Sequence, residues 1–351
     1  MRLIRLLRLM HWIHPIRWLR LSRNPALSGV LWRALQIGVL SLSSAAPAAP
    51  PVLTLAVADI PFAAPVLIAE SQGYFGAEGL TLKVQHHAFG RPALQQLLDG
   101  HAHFATASDT AITFASFTRR DFAIVATLSS SGPEHRLVVR TDRGINSAAD
   151  LKGKRIGTLT HTSAHYFTET LLRFNKLDPS DVSLVALPAS DTVGALVRGE
   201  VDAAGLFDPH VGDAMRALGT KARVLPAPGF FRVTYNLVSV APSAGASDAD
   251  LVKLLRALRR ASDLIRAEPE RARDIVAVAL RANPKEFEEV WKPYDFRLQL
   301  APALISSLEA QSRWALRDKL VPAGSRLPNY LDFIRPEPLR QVDARAVRLV
   351  Q

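Results

Sequence analysis

Residues 52–86 read VLTLAVADIPFAAPVLIAESQGYFGAEGLTLKVQH, and the hydrophobic period changes twice within them. Residues 52–58 form a short apolar run with the length of a buried strand. Residues 64–74 carry apolar side chains at helical spacing and stop near Gly73. Residues 80–86 then alternate like a second strand. The same sequence of periods recurs downstream. Strands are expected at 104–107, 122–128 and 137–140, with helices at 91–98 and 109–117 between them. A second block follows, with strands at 155–159, 182–187, 203–207, 222–225 and 236–240 and helices at 165–174, 192–198 and 209–218. Strand–helix alternation on this scale predicts an α/β protein with mostly parallel sheets flanked by helices. From residue 248 the pattern is purely helical, with Leu251, Leu254, Leu255, Leu258 and Leu264 on one face of a long helix. Prolines open the helices expected at 269, 284 and 302, where a missing N–H costs nothing.

The 351 residues are 48% hydrophobic and 21% charged, enough for about two ordinary cores and unlike a disordered chain. The formal charge of +11 suggests a polyanion partner, but its distribution points elsewhere. Seven arginines (Arg2, Arg5, Arg8, Arg17, Arg20, Arg23 and Arg33) and no acids lie in residues 1–50, which leaves 36 basic against 32 acidic residues in the remainder. The later basic residues are dispersed, and Arg256, Arg259 and Arg260 share their helix with Asp263, so no nucleic-acid partner is expected. Cysteine is absent, which excludes disulfides, thiolate metal sites, thiol catalysis and a lipidated N-terminal cysteine.

The N-terminal charge has a simpler account. An Arg-rich stretch precedes the uncharged run 34–46, ALQIGVLSLSSAA, which is short for a bilayer span and ends in Ala46-Pro47-Ala48. Residues 1–48 are therefore expected to be an export leader cleaved near Ala48/Ala49, with Met10 as an alternative start. An uncleaved anchor and an amphipathic membrane-surface helix are the competing readings.

Six motifs in order carry a family resemblance over residues 52–351. PVLIAESQGYFGAEGL (65–80) resembles the opening of periplasmic solute-binding proteins of ABC importers, in the sulfonate/nitrate/taurine and thiamine-pyrimidine class. LLDG (97–100) followed by residues 103–107 is similar to that family's L-x-x-G-x-x-D step, with His103 in place of the usual Asp. DLKGKRIG (150–157), LVRGEVDA (196–203), Phe207-Asp208-Pro209 and PNYLDFI (328–334) continue the match. Each also has a local structural explanation: Gly73 and Gly79 permit chain reversal, and Asp202 suits a turn or cap.

The resemblance implies a two-lobed, type II periplasmic-binding-protein fold with a two-strand hinge. Lobe I would hold 49–138 and 241–351 and lobe II 139–240, with chain crossings near 137–142 and 236–242. It also implies a monomeric periplasmic protein that hands a small organic solute to a permease and its ATPase, without a cofactor. The competing functions are a ligand-sensing domain of a signalling system and an enzyme on the same fold. Enzymes of this fold that make the thiamine pyrimidine resemble a Cys-rich motif, which this chain cannot supply.

Ligands of open α/β sheets sit beyond the carboxyl ends of strands, where helix N-termini offer free N–H groups. By position, the candidate ligand contacts are Asp59, Phe62, Arg91, Ser108, Asp109, Ser130, His161, Thr162, Ser163, Phe207 and Asp208. Asp59, Asp109 and Asp208 facing inward would favour a pyrimidine, amine or zwitterion over a simple sulfonate or nitrate, whereas Arg91 offers an anion its fork. His161 and His165 lie four apart, and His86/His87 and His101/His103 are paired, yet no H-E-x-x-H occurs and no metal is expected. Neither a G-x-S-x-G elbow nor a phosphate-binding glycine loop is present, so no catalytic residue is assigned.

Overall fold

Strand β1 (Leu53–Ala58) is apolar along its length because both of its faces are covered, and Leu55 through Ala58 are solvent-inaccessible. The computed structural model describes residues 52–349 apart from 228, 230 and 241–245; the expected leader and its cleavage point lie outside the described residues. After β1 come helices α1 (Ala64–Ser71) and α2 (Tyr74–Ala77), separated by Gly73 at φ 67°, a turn that glycine makes without strain. The first half continues with β2 (Leu82–His87), α3 (Gly90–Leu98), β3 (Phe104–Ser108), α4 (Asp109–Ser116) and β4 (Phe122–Ser131). The second half holds β5 (His135–Arg140), β6 (Arg155–Thr158), α5 (Ser163–Phe174), β7 (Ser183–Ala186), α6 (Ala189–Arg198), β8 (Ala203–Phe207), α7 (His210–Leu218) and β9 (Ala222–Val224). The chain then returns as β10 (Val233–Val240). It ends in α8 (Asp248–Ala267), α9 (Pro269–Ala279), α10 (Pro284–Trp291), β11 (Tyr294–Asp295), α11 (Pro302–Arg317) and α12 (Glu337–Val342).

Two sheets result, with strand orders β11-β4-β10-β3-β1-β2 and β7-β6-β8-β5-β9. They share one plan. In each, the first strand of the half lies between the second and the third, and a strand arriving from the other half is inserted antiparallel before the fourth. β10 is that strand in the first sheet and β5 in the second. Four strands of each sheet run the same way, and the inserted strand makes antiparallel pairs with both neighbours.

The crossings are corrected. Residues 137–140 and 236–240 lie inside β5 and β10, fully paired, so the chain passes between sheets at 132–134 and again between Val224 and Val233. Pairing therefore assigns β10 to the first sheet and not to a lobe spanning 139–240. A short apolar strand reads the same as a connector or as a sheet centre, and only its partners decide.

The alternation of β5 divides the core. Leu137 and Val139 join the main cluster with Ile156, Phe167 and Leu171, while Val138 faces a smaller cluster with Leu196, Leu206 and Val211. The C-terminal helices close the first half: α8 packs on α1 and α12, and α11 on α4. Ser247 caps α8 in a reciprocal box with Asp250, and prolines occupy the first turns of α9, α10 and α11. Two of the family-like motifs are spent on structure. Asp202 receives the backbone N–H of Arg155 at 3.0 Å and its guanidinium at 2.8 Å, and Asp150 caps the turn at Asn146 and Ser147.

Strand β8 opens with the small residues Ala203, Ala204 and Gly205, and α5 lies directly on Gly205. A Cβ at Gly205 would overlap Thr168 Oγ1 and stand 3.3 Å from the Ala164 carbonyl. Gly205→Ala is expected to cost about 1–3 kcal/mol through overpacking. Pairing it with Thr168→Ala, which removes the obstructing hydroxyl, should cost less than the sum of the two single changes. Chemical denaturation of the four-member cycle checks this.

Candidate functional site

Three parallel strands of the first sheet and two of the second end at one cavity whose empty space, mouth included, is about 460 Å³. Ile60 and Phe62 follow β1; Phe89, Gly90 and Arg91 follow β2 and begin α3; Ser108 and Ala111 join β3 to α4. From the second half, His161, Thr162 and Ser163 follow β6 and begin α5, and Phe207 ends β8. Glu134 enters from the first crossing, and Val233 and Tyr235 from the start of β10. Both sheets thus supply walls.

The helix ends that meet here are not equivalent. α4 satisfies itself: Ser108 Oγ accepts the Ala111 N–H at 3.3 Å and Asp109 accepts that of Thr110 at 2.9 Å. α3 and α5, preceded by Phe89 and Thr162, have no side-chain cap. The hydroxyl of Thr162 turns away and donates to the Leu159 carbonyl at 2.6 Å. Uncapped N-termini from opposite halves therefore face one cavity, each with unclaimed N–H groups and a positive dipole end. Beside them stands the exposed Arg91, which forms no ion pair among the described residues. His161 has φ 60°, an uncommon backbone state for a side chain of its size, and stacks edge-on with Phe114 at 4.8 Å. Burial first, then the charges of Arg91 and His165, lowers its pKa and favours the neutral ring.

Seven of the eleven residues expected from the sequence line this cavity: Phe62, Arg91, Ser108, His161, Thr162, Ser163 and Phe207. Four are elsewhere. Asp59 is exposed and meets His86 Nδ1 at 2.7 Å. Ser130 Oγ accepts from Arg232 at 3.0 Å. Asp109 is fully buried beneath α4, accepting the Thr234 N–H at 3.3 Å and the Ser307 hydroxyl at 2.8 Å, so it ties α4 to β10 and α11. Asp208 is buried behind the wall, 3.2 Å from Arg136. The carboxylate that does reach the cavity, Glu134, carries no sequence signal beyond its place beside Gly132-Pro133, and the aromatic Tyr235 was hidden inside a strand.

A further set of contacts holds the two halves together next to the cavity. Trp314 of α11 donates its indole N–H to Glu169 of α5 at 2.8 Å, and Glu169 also pairs with His165 at 3.0 Å. Arg173 of α5 meets Asp318, just beyond α11, at 2.8 Å. Among the described residues, no three metal-ligating side chains come together, and no helix is long and apolar enough to cross a membrane.

Residues 61–272, more than half of the chain, match the family model described as NMT1/THI5 like. The chain belongs to the NMT1/THI5-like family. A Brucella abortus relative named as a binding protein is 25% identical over 230 residues, 63% of this chain and 69% of that one. The taurine-binding periplasmic protein of Escherichia coli is 25% identical over 164 residues, 46% of this chain and 49% of that one. Among solved structures, the alkanesulfonate-binding protein SsuA of Xanthomonas axonopodis pv. citri bound to MOPS superposes with a TM-score of 0.67 at 20% identity, covering 86% of this chain and 99% of that one. The desulfurization enzyme DSZB gives 0.60 at 18%, covering 84% and 99%. This NMT1/THI5-like chain therefore has the periplasmic-binding-protein fold, one that also carries an enzyme.

Burial raises the carboxyl pKa of both Asp109 and Asp208 to about 6, above the ordinary 3.8; for Asp208, Arg136 opposes the rise and Glu134 adds to it. A group whose folded pKa is raised favours the folded state below its unfolded value, and that contribution is lost as pH climbs through the folded one. Asp109→Asn cannot ionise. The stability of the variant relative to the parent is therefore expected to improve by on the order of 2 kcal/mol between pH 4.5 and 7.5. Denaturant titrations at the two pH values measure it, and a constant difference would refute the shift.

Proposed function

We propose that this protein is the solute-binding component of an ABC importer. It captures a small organic solute with an anionic head between its two halves and delivers it to a membrane permease and its ATPase. The observation that carries this reading is the pair of uncapped N-termini, α3 from one half and α5 from the other, facing one cavity beside Arg91, which has no ion pair among the described residues. An anion there would accept the N–H groups that no side chain claims. Contacts to both halves also give closure its driving force, because a ligand shifts an equilibrium only by its differential affinity for the two states.

In this reading the halves act as lobes, 52–131 with 233–349 and 135–224, hinged at the two crossings. The N-terminal leader directs a monomeric protein to the periplasm and is removed near Ala48/Ala49. The sulfonate and taurine names of the relatives and structural neighbours agree with an anionic head group.

A second reading, an enzyme on the same fold, is favoured by one contact chain. Ser163 Oγ lies 2.8 Å from His135 Nε2, and His135 Nδ1 lies 2.7 Å from Glu134 Oε2, the order of a nucleophile, a base and an acid. Against it, the second of these contacts is not aligned as a hydrogen bond.

A thermal-unfolding screen of the processed protein separates the two. The panel holds sulfonates, taurine, nitrate, carboxylates, pyrimidines, riboflavin and polyamines. An anionic solute at about 100 times its Kd should add roughly 2.7 kcal/mol of stability. Arg91→Ala should raise that Kd about tenfold. Recovery of the solute unchanged after incubation supports binding, while its conversion, abolished by Ser163→Ala, would establish the enzyme.

A further inference from the structure

The cavity contains one feature that an anion site does not need. Glu134 lines it with its side chain only 2% exposed, and no donor is aligned on its Oε2. The nearest polar atom, Nδ1 of the adjacent His135, is 2.7 Å away but out of line, and the other ring nitrogen of that histidine is engaged with Ser163. Arg136, the closest arginine in sequence, lies 3.2 Å from Asp208 and donates its Nε–H to the Pro133 carbonyl. Arg91 forms no ion pair among the described residues, so the two opposite charges of the cavity do not pair with one another there. A carboxylate oxygen held out of water without an aligned donor is costly, and the folded protein keeps Glu134 Oε2 at the wall of its ligand cavity.

The surroundings are aromatic. Phe62 and Tyr235 line the cavity and stack at 5.4 Å, Tyr294 meets Phe62 edge-on at 4.8 Å, and Phe207 completes the wall from the second half. Ring faces attract a cation, and an ammonium brings N–H donors for a carboxylate. Neither feature helps a ligand that is anionic throughout.

We propose that Glu134 is a subsite for a protonated nitrogen, so that the solute is dipolar, an acid head bound at the helix ends and Arg91 and an ammonium bound at Glu134 among the rings. This rests on the solute-binding reading and narrows it: plain alkanesulfonates and inorganic anions would fill only half of the site. Glu134 becomes the residue that sets specificity, since an apolar tail of the same length would bury the carboxylate unpaired.

The test uses two pairs of probes that differ only in ammonium against methyl. One pair is taurine and propane-1-sulfonate, the other 3-aminopropane-1-sulfonate and butane-1-sulfonate. Isothermal titration of the exported protein is expected to show the amine of at least one pair binding ten times or more tighter than its methyl partner. Glu134→Gln should bring that ratio within threefold by weakening the amine alone. Equal or tighter binding of the methyl partners to the parent protein would overturn the subsite while leaving the solute-binding reading intact. So would a preference unchanged in Glu134→Gln. Failure of all four probes to bind a cooperatively folded protein would overturn the subsite together with the sulfonate-like head on which it rests.

Discussion

The antiparallel insertion of β10 between β3 and β4 is the constraint on which the rest of the molecule depends. All eight of its residues pair with β4 and Tyr235 to Ser239 pair with β3 as well, and all but Val240 are buried. At its centre the fully buried Asn236 accepts the Thr127 hydroxyl at 2.7 Å and donates to Thr234 Oγ1 at 3.1 Å, so an amide that would be costly alone becomes a register mark. A slip of one residue would strand that amide and turn Tyr235 out of the cavity wall. The same strand ends the excursion into the second half and delivers the chain to the helices that cover the first sheet. Because β5 does the equivalent in the second sheet, each half is completed by a strand that arrives from the other.

That exchange explains why the site lies where it does. The common-direction strands of both sheets end toward one another, and the crossings bring the two sets of strand ends to one cavity. Helices leaving those ends point their N-termini inward. α4 closes its own end with Ser108 and Asp109, whereas α3 and α5 leave theirs open. The contrast between a capped and an uncapped end, within one cavity, says more about ligand chemistry than the presence of helix ends alone.

Outside the cavity, Trp314, Glu169 and His165 form a buried polar contact between α11 and α5, and Arg173 with Asp318 extends it. Separating the halves would expose Glu169 and the indole together. The packing next to the ligand space is thus built from hydrogen-bonded groups that water can re-satisfy, with Tyr166 and Phe114 supplying the apolar remainder. An interface of that composition opens at lower cost than a wholly apolar one.

The order of strands and helices and the segments that carry Arg91, Thr162 and Ser163 were legible in the sequence, because each depends on neighbours within a few residues. Hydrophobic period and capping are local physics. What the tertiary structure alone decided is which carboxylate faces the cavity. Asp109 sits beside Ser108 in the sequence but is claimed by Thr234 and Ser307, which lie 125 and 198 residues away along the chain. Asp208 is claimed by Arg136 across the β5–β8 pairing, and Asp59 by His86 across β1 and β2. Glu134, at a crossing, is the one left facing the cavity. A carboxylate's direction is set by the donors that reach it, and those donors are brought by strand insertion and helix packing over distances that no local pattern records.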